Sequence, residues 1–378
     1  MQFSINTKEF VRVLSSIQGI IDKAGQNQQS ILSYVYLQAI DSQLIVNATN
    51  FNLTFVDRLE ATVDVEGAIC VKAQRLLQIM KTLYGTVTKI SLSKTEMRLN
   101  ISCGKSKFNT KECNPPDDFP PYNPPKSDKI LSISNKVLRR VLIETVFSVK
   151  PEREEINGAH VEVINKASGN FLRMVTTDGH RLSISEGIFN GDMDESAVDR
   201  KLLPQKALQT LLSLTATYGD QDWSITFGDR QACFSIEKLE FSFSLNDGKF
   251  PDYNKICSKL SPDKLVVIEK KEFSSILKRV GVFSSKNTPS VKFSLSDQKL
   301  DISIKNPDMG DFNEDIPVNY QGDNLEISFS FTFFQDLLNA LDAENVQLGL
   351  NGSMNPCLVT VPGRDDCQFI IMPMRNSS

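Results

Sequence analysis

The stretch Ile5–Leu14, INTKEFVRVL, decides the fold because it returns twice along the chain. Its second copy is Ile133–Leu142, ISNKVLRRVL, and its third is Ile268–Leu277, IEKKEFSSIL. The copies begin 128 and 135 residues apart. Self-similarity at a long period indicates one structural unit that is used repeatedly. We therefore expect the 378 residues to form three related units.

Each copy has the residue pattern of an amphipathic helix. In the first copy, apolar residues recur at helical spacing, at Phe10, Val13, Leu14, Ile17 and Ile21. This spacing places them on one face of a helix. Asn6 or Thr7 can cap the first helix, and Ser134 or Asn135 can cap the second. The opposite face carries lysine or arginine in all three copies.

A second helix and a set of strands also recur in each third of the chain. The second helices are predicted at Ala73–Leu83, Pro204–Leu214 and Thr332–Leu341. Strands with alternating apolar residues are predicted at Leu44–Asn50, Leu172–Asp178 and Leu300–Asn306. Further strands are expected within Lys89–Cys103, Trp223–Leu245 and Gln347–Met372.

Related proline-containing motifs stand at the two boundaries between the units. Cys113–Pro125 is expected to lack regular structure, because proline removes backbone donors and disfavours helix. It contains Phe119–Tyr122, FPPY, and the related Phe250–Tyr253, FPDY, follows 131 residues later. We expect three α+β domains over residues 1–126, 127–254 and 255–378.

The composition is that of an ordinary globular protein, with 42 Lys and Arg against 46 Asp and Glu and a net charge of −4. The acidic balance argues against a protein that binds phosphate backbones with its whole surface. No run approaches the length of a transmembrane helix, and the first residues lack a signal-peptide pattern. The seven cysteines contain no Cys-x-x-Cys pair. A soluble, cytoplasmic protein without a bound metal or cofactor is expected.

Three motifs carry a resemblance to a known family. They are Thr177–Leu182, TDGHRL; the FPDY motif; and Met372–Arg375, MPMR. Together with the three repeats, they resemble the bacterial sliding clamps, the beta subunits of the replicative DNA polymerase III. The resemblance covers essentially the whole chain. It implies a head-to-tail homodimer whose six domains form a ring around duplex DNA, with helices lining the central hole and antiparallel sheets outside.

The resemblance also implies a function without catalysis. Such a ring is a processivity factor that slides on double-stranded DNA without reading its sequence. It tethers the catalytic subunit of the replicative polymerase, as well as other polymerases and repair proteins that carry a linear clamp-binding motif. An ATP-driven clamp loader would place it on DNA, and no membrane or cofactor is implied.

The repeated basic helix face gains a use from this resemblance. For any single helix, a basic face is usually just solvated, but threefold recurrence in an acidic chain favours contacts with DNA phosphates. The residues expected to face DNA are Lys8, Arg12, Lys23, Arg75, Lys136, Arg139, Arg140, Lys206, Lys278 and Arg279.

A peptide-binding cleft is implied around TDGHRL, which only the middle repeat carries. The expected residues from the middle domain and connector are Ile156, Thr177, Gly179, His180, Arg181, Leu182, Pro251, Lys255 and Ile256. The third domain would add Ser330, Phe333, Met354, Pro356, Ile370, Met372, Pro373, Met374 and Arg375. Apolar and methionine side chains suit leucine or phenylalanine anchors of a linear peptide. Phe333 stands where the family often has tyrosine, and Asn376–Ser378 extends past the usual end.

A dimer contact is implied between the first domain of one chain and the third domain of the other. The residues expected there are Arg75, Lys105, Lys107, Phe108, Val282, Phe283, Asp308, Asp311, Glu314 and Asp315. Basic residues would meet acidic ones, which favours the head-to-tail pairing.

Two other classes of protein remain open. A hydrolase or transferase could use Asp178 with His180, but the chain has only two histidines and contains no nucleophile elbow, P-loop, dinucleotide or zinc-protease motif. A monomeric nucleic-acid-binding or scaffold protein would also explain basic helices.

Overall fold

The computed structural model describes residues 1–21, 30–93, 95–127, 129–150, 156–191, 201–285 and 290–374. These residues divide into two compact units. The first unit comprises the described residues of 1–138, 189–191 and 209–245. The second unit comprises those of 139–188, 201–208 and 246–374.

The described residues form seven α-helices and twenty-five strands. The helices are α1 (Thr7–Ser16), α2 (Ala73–Lys81), α3 (Asn135–Val146), α4 (Gln205–Thr217), α5 (Asn254–Cys257), α6 (Lys270–Phe283) and α7 (Phe331–Ala340). In this part of the chain, no helix is long and apolar enough to cross a membrane.

The strands of the first third and of the middle third follow in chain order. They are β1 (Gln2–Asn6), β2 (Tyr34–Ile40), β3 (Gln43–Thr49), β4 (Leu53–Val65), β5 (Gly67–Lys72), β6 (Val87–Ser93), β7 (Arg98–Cys103), β8 (Ser106–Thr110), β9 (Cys113–Asn114), β10 (Leu131–Ser134), β11 (Gly158–Lys166), β12 (Gly169–Thr177), β13 (Arg181–Phe189), β14 (Lys201–Pro204), β15 (Asp222–Phe227), β16 (Gln231–Ile236) and β17 (Leu239–Ser244).

The last third contributes the remaining strands. They are β18 (Lys264–Glu269), β19 (Ser290–Ser296), β20 (Lys299–Asn306), β21 (Gly310–Pro317), β22 (Leu325–Ser330), β23 (Asn345–Leu350), β24 (Cys357–Thr360) and β25 (Cys367–Ile371). The helices and strands predicted from the repeats are confirmed, with ends that shift by a few residues.

Helix α1 forms where the sequence pattern placed it. The Asn6 side chain accepts hydrogen bonds from the backbone N–H groups of Lys8 and Glu9, so Asn6 is the cap. The whole predicted apolar stripe from Phe10 to Ile21 is buried. It packs between the sheet and α2, which fixes the basic residues of α1 on the other face.

The first unit is built on one sheet of thirteen strands. The order along its main path is β10-β15-β16-β17-β4-β1-β6-β7-β8, and a branch β3-β2-β5-β9 joins it through the pairing of β3 with β4. Strand β17 of the middle repeat pairs antiparallel with β4 of the first repeat, with Phe241 opposite Phe55. One continuous sheet therefore joins the first repeat to half of the second.

The second unit contains two sheets. The larger has the order β14-β11-β12-β13-β25-β24-β23-β18, and the smaller has the order β21-β20-β19-β22. Strand β13 of the middle repeat pairs with β25 of the third, with Arg181 opposite Ile371. The core contains a group of fully buried aromatic rings, Phe273, Phe293, Phe329 and Phe334, with ring centroids 5.2 to 5.9 Å apart.

The compact units do not coincide with the sequence repeats. Since β10 and β15–β17 extend the sheet of the first repeat, and β11–β14 extend that of the third, the middle repeat is divided between the units. The domain limits 1–126, 127–254 and 255–378 therefore stay a prediction about the repeats.

The expectation that Cys113–Pro125 lacks regular structure is wrong at its start. Cys113 and Asn114 precede the prolines and form β9, which pairs with Val71 and Cys70 of β5. Pro116–Asp118 form one turn of 3-10 helix, which proline tolerates at a first helical position.

Candidate functional site

A cavity of about 580 Å³ lies in the second unit. It is bounded by the TDGHRL turn, by the connector that follows the FPDY motif, and by β25. Its lining residues are Ile156, Thr177, Gly179, His180, Arg181, Leu182, Pro251, Lys255, Ile256, Lys259, Leu260, Ser261, Pro262, Gly349, Asn351, Asn355, Pro356, Leu358, Ile370 and Met372.

The turn at the cavity is held by the side chain of Asp178. Its Oδ1 accepts hydrogen bonds of 2.9 Å from the backbone N–H groups of both His180 and Arg181. The Thr177 hydroxyl donates to the Arg181 carbonyl at 2.7 Å and accepts from the Gly179 N–H at 3.0 Å. Gly179 has a φ of 88°, which glycine adopts without steric cost.

The same turn occurs in the other two repeats, which indicates that Asp178 has a structural role in forming it. Asn50 accepts from the N–H groups of Asn52 and Leu53, and Asn306 accepts from that of Asp308. Phe51, at the position of Gly179, also has a positive φ of 70°. The Asp178 carboxylate is therefore a turn-forming group, and only the side chains that the turn presents differ between repeats.

Arg181 is bound within the protein on several sides. Its guanidinium lies 3.1 Å from Asp178 and 2.7 Å from Asp336, and it donates to the Phe147 carbonyl at 2.8 Å. The group also stacks over the Phe333 ring, 4.8 Å from its centroid. Only 11% of its side chain is exposed. Arg181 therefore joins β13 to α7, and only a small part of its side chain is exposed at the cavity.

His180 and the end of the chain form the neighbouring wall. The His180 ring stacks on Phe333 with a centroid distance of 6.3 Å. The His180 carbonyl accepts from the Met372 N–H at 2.9 Å, and the Met374 N–H donates to the Ser328 carbonyl at 2.7 Å. The Met-Pro-Met segment is thus held by backbone bonds on both sides of Pro373.

The structure brings together most of the residues predicted for the cleft. Those on the cavity are Ile156, Thr177, Gly179, His180, Arg181, Leu182, Pro251, Lys255, Ile256, Pro356, Ile370 and Met372. Ser330, Phe333, Met354, Pro373 and Met374 are not on its lining, although Phe333 contacts His180 and Arg181. Ser330 is buried, and its hydroxyl bonds to Thr332. Arg375 lies outside the described residues.

Sequence reasoning missed the far end of the cavity, which includes Lys259, Leu260, Ser261 and Pro262 with Gly349, Asn351, Asn355 and Leu358. A Cβ on Gly349 would lie 2.9 Å from the Pro262 Cβ, so glycine lets the connector approach β23. Asn351 donates to the Ser261 carbonyl at 2.8 Å. The only available signal was the Ser261–Pro262 pair, which marks a turn.

The basic residues of the helices have different surroundings. Lys8, Lys136, Lys206 and Lys278 are exposed. Arg12 stacks over Tyr218, 4.2 Å from the ring centroid, and Arg75 lies 3.1 Å from Glu112. Arg139 is half-buried, and Lys23 lies outside the described residues.

Arg140 is paired within the protein, and its role as a DNA-facing residue stays a prediction. Its guanidinium lies 3.1 Å from Glu144 and 3.0 Å from Asp366, and it donates to the Glu186 carbonyl at 2.7 Å. Glu144 is almost fully buried and also binds Arg364. Arg140 therefore helps to neutralise the buried carboxylate of Glu144.

Arg279 is also paired within the chain. Two nitrogens of its guanidinium donate to the two carboxylate oxygens of Glu314, Nε at 2.7 Å and Nη2 at 2.5 Å. One predicted DNA contact thus meets one predicted dimer contact. The pair is half exposed, so exchange of Arg279 for another partner costs little.

Apart from Arg75, which lies on α2, the residues predicted for the dimer contact lie on or next to the end strands of two sheets. In the described residues β8 pairs only with β7, and β21 pairs only with β20. Lys107 and Phe108 lie on β8 and Lys105 immediately precedes it, and all three are exposed. Beside β21 stand Val282, which is 65% exposed, and Phe283, which stacks on Phe312. Asp308, Asp311 and Asp315 are exposed, and Glu314 is half-buried.

Three family models of one protein match the chain almost from end to end. They are the N-terminal domain of the DNA polymerase III beta subunit at residues 1–123, its central domain at 132–252 and its C-terminal domain at 261–375. The chain belongs to the DNA polymerase III beta subunit family. Each third of the chain thus matches its own domain model, in the family order.

Relatives and solved structures match the chain along nearly its full length. The beta sliding clamp of Pseudomonas putida is 29% identical over 99% of this chain and 100% of its own. The sliding clamp of Bartonella birtlesii, solved with bound griselimycin, is 25% identical, has a TM-score of 0.91 and covers 99% of this chain and 100% of its own. That of Pseudomonas aeruginosa, also with griselimycin, is 28% identical, with a TM-score of 0.90 and 99% coverage of both chains.

Proposed function

We propose that this beta subunit is a processivity factor, a homodimeric ring that encircles duplex DNA and tethers DNA polymerases. One observation carries the proposal. A largely apolar cavity stands at the TDGHRL turn, which only the middle repeat carries, in a chain whose three repeats match the three beta-subunit domains in order. The relatives solved with griselimycin support ligand binding by the family.

The cavity suits the anchor residues of a linear peptide. Leu182, Ile256, Ile370 and Met372 supply apolar surface, and Met372 adapts to different side chains. The volume of about 580 Å³ lies within the range of ligand pockets, about 300–1,000 Å³. We therefore propose that replicative and repair proteins, and an ATP-driven loader, bind here through short motifs.

Sequence-independent sliding is supported by the exposed lysines on the repeated helices. Lys8, Lys136 and Lys278 occupy the same helix of the three repeats, and Lys206 lies on the second helix of the middle repeat. Such lysines contact phosphates without reading bases. Their recurrence in a chain of net charge −4 favours DNA contact over a merely solvated face. Arg12, Arg75, Arg139 and Arg279 remain proposed contacts, whereas the contact predicted for Arg140 competes with its ion pairs.

The proposed dimer uses the two sheet ends described above. A free strand edge is a template for pairing with another chain. Lys107 on β8 and the preceding Lys105 complement Asp311 and Asp315 on β21, so that β8 of one copy would meet β21 of the other. Two such contacts close a dimer. A cytoplasmic location, where the chromosome lies, follows from this function and remains a prediction.

Catalysis is not part of the proposal. The Asp178 carboxylate is already bound by two backbone N–H groups and by Arg181, and the His180 ring stacks on Phe333. In the described residues no three His, Cys, Asp or Glu side chains are grouped to hold a metal ion.

Retention on DNA tests the proposal. After loading onto nicked circular DNA, the protein should stay bound, and linearisation should release it at the ends. Native mass measurement should give twice the chain mass of 42.3 kDa. Equal retention on circular and linear DNA, or a monomer under loading conditions, would contradict the ring. A binding assay with a peptide that contains Gln and Leu or Phe tests the cleft separately.

A further inference from the structure

We propose that Tyr253 is a positioning residue, whose buried hydroxyl holds the connector wall of the peptide cleft in its binding-ready place. The proposal rests on the proposed function of the cavity as a peptide cleft. It deepens that function, because Tyr253 itself does not line the cavity.

The Tyr253 hydroxyl lies at the centre of a polar group beneath the connector. It donates to Glu162 Oε2 at 2.6 Å and accepts from Arg173 Nη1 at 3.2 Å. Arg173 is fixed in turn by Glu186, through Nε at 2.8 Å and Nη2 at 2.6 Å. Tyr253 is only 3% exposed, and Glu186 is only 4% exposed. Burial raises the pKa of Tyr253 to about 12, so the hydroxyl remains a donor at neutral pH.

The other aromatic residue of the FPDY motif is seated beside it. The Phe250 ring stacks on His160, with a centroid distance of 5.3 Å and an interplanar angle of 13°. His160 Nε2 lies 2.9 Å from Glu162 Oε1. Both oxygens of Glu162 are therefore engaged in holding the motif, one through His160 and one through Tyr253.

The contacts of Phe250 and Tyr253 determine the position of the connector residues that form one wall of the cavity. Pro251 lies between Phe250 and Tyr253, and Ile256 follows in α5. The Tyr253 carbonyl accepts from the N–H groups of Ile256 and Cys257, at 2.9 and 3.0 Å. Helix α5 has only four residues, too few to be stable by itself in water. Its position therefore depends on the residue from which it begins.

The first boundary of the chain offers a matched control. Tyr122 of the FPPY motif also donates to a glutamate, Glu240, at 3.0 Å, and bonds to Ser242 at 2.9 Å. Phe119 likewise packs against an aromatic residue, Tyr36. The cavity beside Tyr122 measures only about 140 Å³. Tyr122 thus has a similar local environment in the first unit, with a glutamate acceptor, and it is not among the residues that line the proposed cleft.

Peptide binding compared between Tyr253→Phe and Tyr122→Phe tests the proposal. The probe is a fluorescein-labelled peptide with Gln, Leu and Phe, followed by anisotropy and stopped flow. Loss of a hydrogen bond to a charged acceptor should weaken binding to Tyr253→Phe about 10-fold, mainly through faster dissociation. Tyr122→Phe should bind as the unchanged protein does. Equal affinity of Tyr253→Phe would overturn the proposal.

Methyl NMR without peptide distinguishes positioning from a general loss of stability. In Tyr253→Phe the Ile256 methyl signal should shift and broaden, whereas that of Ile370 on β25 should stay in place. Neither should change in Tyr122→Phe. If both Ile signals move together, Tyr253 is merely structural. If the unchanged protein binds no peptide, the proposed function fails while the Ile256 signal still tests the positioning.

A second variant covers the case in which Tyr253→Phe does not fold. Glu162→Gln keeps the shape of the acceptor and removes its charge, so binding should weaken by about 3-fold. An unchanged affinity together with an unchanged Ile256 signal in this variant would overturn the proposal.

Discussion

Arg181 Nη1 lies 2.7 Å from Asp336 Oδ2, so one ion pair ties strand β13 of the middle repeat to helix α7 of the third. The residue that the TDGHRL motif singles out is therefore first a tie within the protein and only second a part of the cavity surface. Its loss should affect stability as well as any ligand.

Replacement of Arg181 by alanine should lower the free energy of unfolding by about 3 kcal/mol, because Asp178 loses its charged partner in a buried site. Urea denaturation followed by circular dichroism measures this change. Lys238→Ala is the control, since the exposed Lys238–Glu60 pair should contribute less than about 1 kcal/mol. A similar loss for both variants would contradict the role of burial.

Deletion of Met372–Ser378 should abolish binding of the Gln- and Leu/Phe-containing peptide and leave the dimer intact. The deletion removes Met372 from the cavity and breaks its backbone bond to His180. Deletion of only Asn376–Ser378 is the matched control and should preserve binding. Anisotropy measures the peptide, and native mass measures the dimer. Unchanged affinity after the longer deletion would show that Met372–Ser378 do not contribute to the cleft.

Lys8→Ala and Lys278→Ala should each weaken DNA binding uniformly across sequences. Each should also reduce the slope of log affinity against log salt by about 1, as expected for one lost phosphate contact. Lys292→Ala changes a partly exposed lysine on β19 that pairs with Glu326, and should leave the slope unchanged. Arg140→Ala should lower stability and leave the salt slope unaltered, since Arg140 binds Glu144 and Asp366.

Charge reversal should control the dimer. Lys107→Glu should weaken the dimer about 10-fold, because a negative charge would then face the acidic side of β21. Asp311→Lys alone should act similarly, and the two changes together in one chain should restore much of the affinity. Sedimentation at low salt measures each variant. Failure of the double variant to recover would place Lys107 and Asp311 apart in the dimer.

Low pH should weaken the contacts by which Glu162 holds the connector in place. The hydrogen bond from His160 holds the pKa of Glu162 below its ordinary value of 4.5. Since this pKa is lower in the folded state, the stabilisation from Glu162 is present above about pH 4.5 and is lost as the pH falls through the folded pKa. The midpoint temperature of thermal unfolding should therefore fall less steeply between pH 6 and pH 3 for Glu162→Gln than for the unchanged protein. An identical slope in both proteins would contradict this.

The helices and strands were predictable because their apolar periodicity is local. Phe10, Val13 and Leu14 are buried together for the reason their spacing gives, namely that they share one face of α1. The repeat extended this prediction to all three thirds of the chain. The residues of the TDGHRL turn that line the cavity were predicted from the motif alone, and their role in peptide binding stays a prediction.

Tertiary partners were not predictable from the same patterns. Lys136, Arg139 and Arg140 look alike in sequence, yet Arg140 turns to Asp366, which lies more than 200 residues away. The far wall of the cavity depends on the approach of Pro262 to Gly349, and neither residue carries a motif. Division of the middle repeat between two sheets was also invisible, because strand order across repeats is set by pairing rather than by periodicity.

The pairing of β17 with β4 and of β13 with β25 limits how this protein can be re-engineered. Grafting the middle repeat from another relative would require compatible edges on two foreign sheets at once. Such a chimera should succeed only when β4 and β25 are exchanged along with it. The segments best exchanged between relatives are therefore the two compact units and not the repeats. The crossover points would then lie inside the second repeat.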